Sequence, residues 1–170
     1  NKYYYGDGVN QDYTTAVEWY TKSAEQGYGM AQTNLGGMYE NGRGVNQDDT
    51  TAVEWYQKAA EQGHANAQYK LGWMYRNGKG IEKNYIKAFE WHQKAAEQGY
   101  ANAQNSLGCM YENGEGIEKN YVKAVEWYQK AAEKGNKYAQ TNLGWMYENG
   151  RGVNQDDTTA VEWYQKAAEQ

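Results

Sequence analysis

The sequence contains no proline, and it has only one cysteine and one phenylalanine among its 170 residues. Without proline, every interruption of a helix must come from another residue, and the 20 glycines are the obvious candidates. The single thiol, Cys109, cannot form a disulfide within the chain. This excludes a disulfide-stapled scaffold and mildly favours a reducing compartment.

Long apolar runs and an excess of positive charge are absent as well. No apolar stretch approaches the roughly 18 residues that are needed to span a bilayer. The formal net charge is −5, whereas proteins that bind nucleic acids or anionic membranes usually carry a positively charged surface. Broad electrostatic binding to either is therefore not expected.

The chain instead repeats itself every 36 residues. Tryptophan keeps this step five times, and leucine, tyrosine and glycine keep it four times each. The positions are Trp19, Trp55, Trp91, Trp127 and Trp163; Leu35, Leu71, Leu107 and Leu143; Tyr39, Tyr75, Tyr111 and Tyr147; and Gly27, Gly63, Gly99 and Gly135. A fixed period of this length predicts a solenoid of stacked supersecondary units.

We expect one all-α domain over residues 1–170. It divides into a partial repeat, 1–27, followed by repeats 28–63, 64–99, 100–135 and 136–170. Because the chain begins inside a unit and stops just before a closing glycine, we interpret it as a fragment of a longer array.

Each repeat has the pattern of two helices. In residues 28–41, Ala31, Leu35 and Met38 form one apolar stripe, which predicts a first helix, helix A, that Gly42 ends. Asp48 is the predicted N-cap of a second helix, helix B, which runs to about Gln62. The connections are so short that neighbouring helices must pack antiparallel.

A glycine recurs in the middle of helix A, where it costs about 1 kcal/mol relative to alanine. Gly36 and its counterparts therefore predict a close contact between helices. We expect the small pair Ala59 and Ala60, or the flat ring of Trp55, to lie opposite.

In this order, the repeating residues closely resemble the Sel-1-like repeat, a relative of the tetratricopeptide repeat. The pattern runs from Ala31 through Leu35-Gly36, Met38-Tyr39, Gly42 and Gly44-Val45 to Asp48, Ala52, Trp55-Tyr56, Lys58-Ala59-Ala60 and Gly63. The resemblance implies an α/α solenoid, a right-handed superhelix of antiparallel helix pairs. It also implies a scaffold or adaptor of protein complexes, with no catalytic residue and no cofactor. One bacterial branch of the family carries a disulfide-forming cysteine pair in each repeat, which this chain lacks.

Because the repeats share their scaffold residues, function is expected where they differ. Residues 31–36 and 38–62 are identical to residues 139–144 and 146–170, and Gly37 against Trp145 is the lone difference. On helix A the differences follow a stripe away from Leu35 and Met38. The stripe comprises Thr33, Gly37, Glu40, Tyr69, Trp73, Arg76, Asn105, Cys109, Glu112, Thr141, Trp145 and Glu148.

In tetratricopeptide-like solenoids helix A lines the concave surface, so the resemblance implies that this stripe lines a groove for a peptide or a helix. Trp73, Tyr69 and Trp145 are the candidate anchors, and Glu40, Glu112 and Glu148 would favour a basic ligand. The alternative is that Trp73 and Trp145 pack between adjacent helices and fill the space that Gly37 leaves empty.

The pattern offers no catalytic or metal site. Glu54 and Lys58 recur four residues apart in every helix B, which predicts a surface ion pair. His64 and His92 replace packing residues of other repeats, and no short ligand spacing links them to Cys109.

Three functions remain open on the sequence. The leading one is a protein-binding scaffold; the others are a glycan-binding module that uses its 25 tyrosines and tryptophans, and a non-catalytic targeting arm of a larger enzyme. The final repeat has no polar capping helix, which also predicts some end-to-end self-association near Trp163.

Overall fold

The computed structural model describes residues 2–6 and 11–169, and every regular element among them is a helix. Residues 1 and 7–10 of the predicted partial repeat lie outside the described part, as does residue 170. The chain forms two compact units, Asn1–Asn84 and Tyr85–Gln170, called unit 1 and unit 2 below. The single domain over residues 1–170 stays a prediction.

Helices alternate between type A and type B in each unit. Unit 1 contains α1 (Lys2–Tyr5), α2 (Tyr13–Glu25), α3 (Gly29–Asn41), α4 (Asp49–Glu61) and α5 (Ala65–Asn77). Unit 2 contains α6 (Tyr85–Glu97), α7 (Ala101–Asn113), α8 (Tyr121–Glu133), α9 (Lys137–Glu148) and α10 (Asp157–Ala168). The odd-numbered helices are of type A and the even-numbered ones of type B. Within a unit, each helix packs against the next one in sequence.

The caps that were predicted from the sequence are present. One carboxylate oxygen of Asp48 accepts hydrogen bonds from the backbone N–H groups of Thr50, at 3.0 Å, and Thr51, at 3.1 Å, and so begins α4. Gly42 ends α3 with a left-handed backbone, φ +63°. Asp12 and Asp156 begin α2 and α10 in the same way as Asp48. Asn120 begins α8 by accepting a single bond, from the backbone N–H of Lys123.

A core of small and flexible apolar residues lies between the helices. Leu35 and Met38 of α3 are each 1% exposed, and their counterparts in the other complete repeats are as deeply buried. Gln32 is buried too, and its side-chain amide donates to the carbonyl of Ala24 at 3.1 Å. The carbonyl of Ala24 at the end of α2 thus accepts this bond as well as one from the backbone N–H of Gly27, at 3.0 Å. The same bond recurs at Gln68, Gln104 and Gln140.

The mid-helix glycine does mark a close contact, but the predicted partner is wrong. A Cβ on Gly36 would lie 2.8 Å from two ring carbons of Tyr56. Gly108 meets Tyr128 and Gly144 meets Tyr164 in the same way. The tyrosine, rather than an alanine pair or the tryptophan, therefore occupies the space that the glycine leaves.

The tryptophans of the B helices are also more exposed than their regular spacing indicated. Trp19 is 53% exposed and Trp55 is half-buried. The ammonium of Lys58 lies 4.2 Å from the centre of the Trp55 ring, and Lys58 makes no ion pair with Glu54. The predicted Glu–Lys pairs are therefore wrong, because the lysine three residues after each tryptophan covers the ring instead. The other stacks are Lys22 on Trp19, Lys94 on Trp91, Lys130 on Trp127 and Lys166 on Trp163.

Successive helix pairs meet at a joint made of backbone. Gly44, in the loop after α3, has φ +71°, and a Cβ there would collide with the carbonyl group of Tyr13 at the start of α2. Glycine is therefore required at this position for both its conformation and its size. The same joint recurs at Gly80 against Asp49, Gly116 against Tyr85 and Gly152 against Tyr121.

Candidate functional site

The candidate residues lie on two A helices in each unit, and each set of six is called a face below. The unit 1 face consists of Thr33, Gly37 and Glu40 on α3 and Tyr69, Trp73 and Arg76 on α5. The unit 2 face consists of Asn105, Cys109 and Glu112 on α7 and Thr141, Trp145 and Glu148 on α9. Most of these residues are half-buried; Glu40 is buried, and Thr141 and Glu148 are exposed.

Glu40 is the centre of a hydrogen-bonded group in unit 1. The hydroxyl of Tyr56 donates to its Oε2 at 2.5 Å, and Lys70 Nζ lies 2.9 Å from the same oxygen. Burial, followed by the hydrogen bond to Glu40 and its charge, raises the pKa of Tyr56 well above its ordinary value. Because Lys70 balances its charge, Glu40 offers little attraction to a basic ligand.

The three unit 1 face residues on α5 are two aromatic side chains and one cation. Tyr69, Trp73 and Arg76 are each half-buried. Lys79 Nζ lies 5.8 Å from the centre of the Trp73 ring and also forms an ion pair with Asp49 at 3.2 Å. The indole of Trp73 is thus partly covered by its own unit and partly open.

Unit 2 repeats the tyrosine–glutamate bond without the lysine. The hydroxyl of Tyr128 lies 2.6 Å from Glu112 Oε2 and 3.3 Å from the sulfur of Cys109. Tyr164 donates to Glu148 at 2.8 Å in the next repeat. No ion pair involves Glu112 or Glu148 among residues 11–169. The unit 2 face is therefore the more acidic one.

Polar and aromatic contacts complete the unit 2 face. The side-chain amide of Asn142 donates to Asn105 Oδ1 at 3.1 Å, which joins α9 to α7. The guanidinium of Arg151 lies 4.6 Å from the centre of the half-buried Trp145 ring. Such a face can offer an aromatic surface, amide groups and acidic oxygens to a ligand.

Sequence reasoning missed several residues that shape these faces. Lys70 was assigned no role, and Tyr56 was named only as part of the repeat pattern. The signal for the tyrosine–glutamate bond is present: a glutamate of helix A precedes a tyrosine of helix B by 16 residues at Glu40, Glu112 and Glu148. The spacing alone does not show that the two side chains meet, because it spans a loop.

The described residues contain neither a cluster of metal ligands nor a helix that could span a membrane. In residues 2–6 and 11–169, no three histidine, cysteine, aspartate or glutamate side chains come together as a metal site. His92 is fully buried within α6, and His64 is half-buried just before α5. Within the same residues, no helix has both the length and the apolarity to cross a membrane.

Comparison with known proteins identifies the repeat. A family model of the Sel1 repeat matches residues 3–28, 29–64, 65–100, 101–136 and 137–170. Among curated proteins, no sequence matches the chain.

Solved structures share the fold over nearly the whole chain. A Sel1 repeat protein from Oxalobacter formigenes is 41% identical with a TM-score of 0.95, and the alignment covers 99% of this chain and 67% of that one. A protective antigen, c5321, of uropathogenic Escherichia coli is 43% identical with a TM-score of 0.93 over 99% of this chain. The chain spans only 36% of the length of that antigen. Cysteine rich protein B of Helicobacter pylori is 30% identical with a TM-score of 0.55, covering 69% of this chain and 84% of that one. The chain belongs to the Sel1 repeat family.

Proposed function

We propose that this chain is a non-catalytic scaffold that binds a peptide or a helix of another protein through its unit 1 face and its unit 2 face. Proteins with Sel1 repeats generally mediate protein–protein interactions and are typically not catalysts. The supporting observation is that repeated and variable positions of the A helices differ in burial. Repeated positions such as Leu35 and Met38 are buried, whereas most of the positions that differ are half-buried or exposed.

The residue types on the unit 1 face suit an interface. Tyr69, Trp73 and Arg76 belong to the three types that most often dominate binding energy. Each is half-buried, so it is held in place by its own unit while part of it stays accessible. A side chain that is already ordered loses less entropy when a ligand binds.

Charge distinguishes the ligands of the two faces. On the unit 2 face, Glu112 and Glu148 favour a ligand segment that carries lysine or arginine. On the unit 1 face, Lys70 balances Glu40, so an aromatic or apolar segment is favoured there. Because Glu148 is exposed, its effect should be on the rate of association more than on the affinity.

The glycan-binding alternative receives less support. A sugar would need an open face of an aromatic ring. A lysine ammonium lies between 4.1 and 4.8 Å from the ring centre of each B-helix tryptophan. These five rings are thus partly covered by the chain itself.

The proposal is tested by capture of partners from a native extract. The double variant Trp73→Ala/Trp145→Ala should lose the captured protein while its helical circular dichroism is kept. The variant Trp19→Ala removes an exposed indole from a B helix, and it should capture as much as the original chain. Equal capture by all three chains would move the interface away from the A helices.

A further inference from the structure

A small pocket opens on the unit 1 face at Gly37. It has a volume of about 150 Å³, and residues of all five helices of unit 1 line it. Gly37 and Met38 line it from α3, and the rings of Tyr4, Tyr5 and Tyr20 line it from α1 and α2. The pocket thus combines an aromatic wall with an opening left by a missing side chain.

The fold does not require a glycine at position 37. Its backbone is helical, with no positive φ. A Cβ there would meet only the hydroxyl of Tyr56, at an ordinary contact distance of 3.6 Å. This contrasts with Gly36, the preceding residue, where a Cβ would press on the Tyr56 ring. Gly37 therefore weakens α3 without serving its packing, and such a departure is expected where a residue serves function.

The equivalent repeat shows what kind of group suits this position. In the otherwise identical segment 139–170, the residue corresponding to Gly37 is Trp145, whose indole is half-buried. In the two repeats between them the residues are Trp73 and Cys109, and the sulfur of Cys109 contacts the hydroxyl of Tyr128. A group in the Gly37 pocket would meet the hydroxyl of Tyr56 in the same way.

Polar side chains line the pocket beside the rings, namely Thr33, Asn34, Asn41 and Asn66. The size of the pocket suits one small ring, and its polar lining suits a ring that can also form hydrogen bonds. A cavity of about 150 Å³ can hold a benzene-sized molecule. Lys70 also lines the pocket, but its charge is balanced by Glu40 at 2.9 Å. The Tyr56 hydroxyl uses its proton to donate to Glu40, and its oxygen can still accept a hydrogen bond from an indole N–H.

We propose that the Gly37 pocket receives one neutral aromatic side chain, best an indole, from the protein that binds the unit 1 face. This inference rests on the proposed function, because it names the group that the bound segment inserts. The neighbouring repeats fill the position with their own side chains, and this repeat leaves it for the ligand.

The test uses indole as the probe and amide NMR of the full chain as the readout. Indole should shift the backbone amide signals of Thr33, Gly37 and Asn41 in a saturable manner. The variant Gly37→Trp installs the residue found at position 145, and these shifts should be lost. It should also weaken capture of the natural partner by about ten-fold or more, the scale of one important interface residue. A second variant, Tyr5→Ala, removes part of the wall and should reduce the shifts without touching the core, since Tyr5 is 73% exposed.

The opposite results would overturn the inference. They are an absence of saturable shifts at these amides, or equal shifts in the Gly37→Trp chain. Shifts confined to the exposed apolar residues Trp19, Tyr28 and Met30 would also overturn it. The proposed function fails separately, if capture is unaffected by the double variant Trp73→Ala/Trp145→Ala. Capture that depends on Trp73 but not on position 37 would leave the proposed function standing and remove only this inference.

Discussion

Two adjacent glycines of α3 have opposite roles. A Cβ on Gly36 would lie 2.8 Å from carbons of the Tyr56 ring and 3.2 Å from the carbonyl oxygen of Ala52. The same atom on Gly37 would have only one contact within 4 Å, at 3.6 Å. Alanine at the first position adds strain, and alanine at the second adds only helix propensity.

We therefore predict opposite changes in stability. Gly36→Ala should lower the free energy of unfolding by about 1 to 3 kcal/mol, the usual cost of overpacking. Gly37→Ala should raise it by up to about 1 kcal/mol. Urea unfolding followed by circular dichroism measures both, and each variant serves as the control of the other. Equal changes of the same sign would contradict the assigned packing.

Three tyrosines of the B helices are hydrogen-bonded to glutamates, and we predict that their ionisation lowers the stability of the fold at alkaline pH. Burial, then the hydrogen bond to Glu148 and its charge, raises the pKa of Tyr164 to about 12. The pKa of Tyr56 and that of Tyr128 are raised further, for the same main reason. A raised pKa means that the folded chain holds the proton more tightly than the unfolded chain. The stabilisation is complete below the unfolded value near 10 and is lost as the pH rises through the folded value.

The measurement is the denaturant midpoint between pH 8 and pH 12, together with tyrosinate absorbance. The midpoint should fall above about pH 10. Tyr128→Phe should make that fall less steep, because it removes one tyrosine that keeps its proton to a higher pH in the folded chain than in the unfolded chain. An identical slope in the variant would show that Tyr128 does not titrate late.

At the scale of single residues, the core could be predicted well from the sequence and the candidate site less well. Leu35 and Met38 were identified because burial of one helix stripe produces a visible period. Trp55 was misplaced because a repeating residue was equated with a buried one, although a lysine three positions later can cover an exposed ring. The group of Glu40, Tyr56 and Lys70 was missed because it depends on how three helices approach each other.

At the scale of elements, the start of each B helix is set by a side-chain cap. Asp48 accepts hydrogen bonds from the side chain of Thr51 and from backbone N–H groups, and these bonds lower the pKa of its carboxyl group. A lowered pKa contributes stability that is present above the unfolded value near 3.9 and is lost as the pH falls through the folded value. Asn120 caps α8 without a titratable group.

We predict that Asp48→Ala lowers the melting temperature by a few degrees at neutral pH, because α4 loses a cap. Asp48→Asn is the matched variant, since it imitates the cap of α8. It should keep most of the stability at pH 7 and show a smaller loss between pH 5 and pH 2 than the original chain. If Asp48→Asn is as damaging as Asp48→Ala at pH 7, a neutral amide does not replace the cap at this position.

The element boundaries were predictable for a physical reason. Asp48 and Gly42 act within a few residues of their own positions, so the local sequence suffices. The partner of Gly36 was not predictable in this way. Several residues of α4 could have faced it, and the choice depends on the rotation of one helix against another.

At the scale of the whole molecule, identical sequences lie in different surroundings. Val53 of α4 is 5% exposed, whereas Val161, its counterpart in α10, is 52% exposed. Tyr56 is 1% exposed and Tyr164 is half-buried. The difference arises because α5 packs on α4 within unit 1, while no later helix follows α10 in the described residues.

We predict that this uncovered surface of α10 causes self-association of the chain. A suitable counterpart lies at the start of unit 1, where the exposed residues Trp19 and Met30 line a cavity of about 610 Å³. Light scattering should give a mass above 19.4 kDa that rises with concentration. Val161→Glu should lower that mass with little effect on folding.

The same substitution in the covered repeat is the control. Val53→Glu buries a charge against α5 and should destabilise unit 1 by several kcal/mol. A mass that stays at that of one chain over a wide range of concentration would contradict self-association. Even without self-association, we would still expect Val53→Glu to destabilise folding more than Val161→Glu.

The joint at Gly44 has a consequence for how such chains change in length. It joins one helix pair to the previous one through a glycine and a backbone carbonyl, and the residue that supplies the carbonyl is tyrosine in three cases and aspartate in one. Because side-chain identity at that residue is not needed, this joint itself does not depend on which repeat follows. In-register recombination between two repeats would delete or add a 36-residue block. The contact between the loop glycine and the backbone carbonyl would be preserved at the new junction. The array can thus evolve by copying whole blocks, while single positions such as 37 and 145 diverge to distinguish one block from the next.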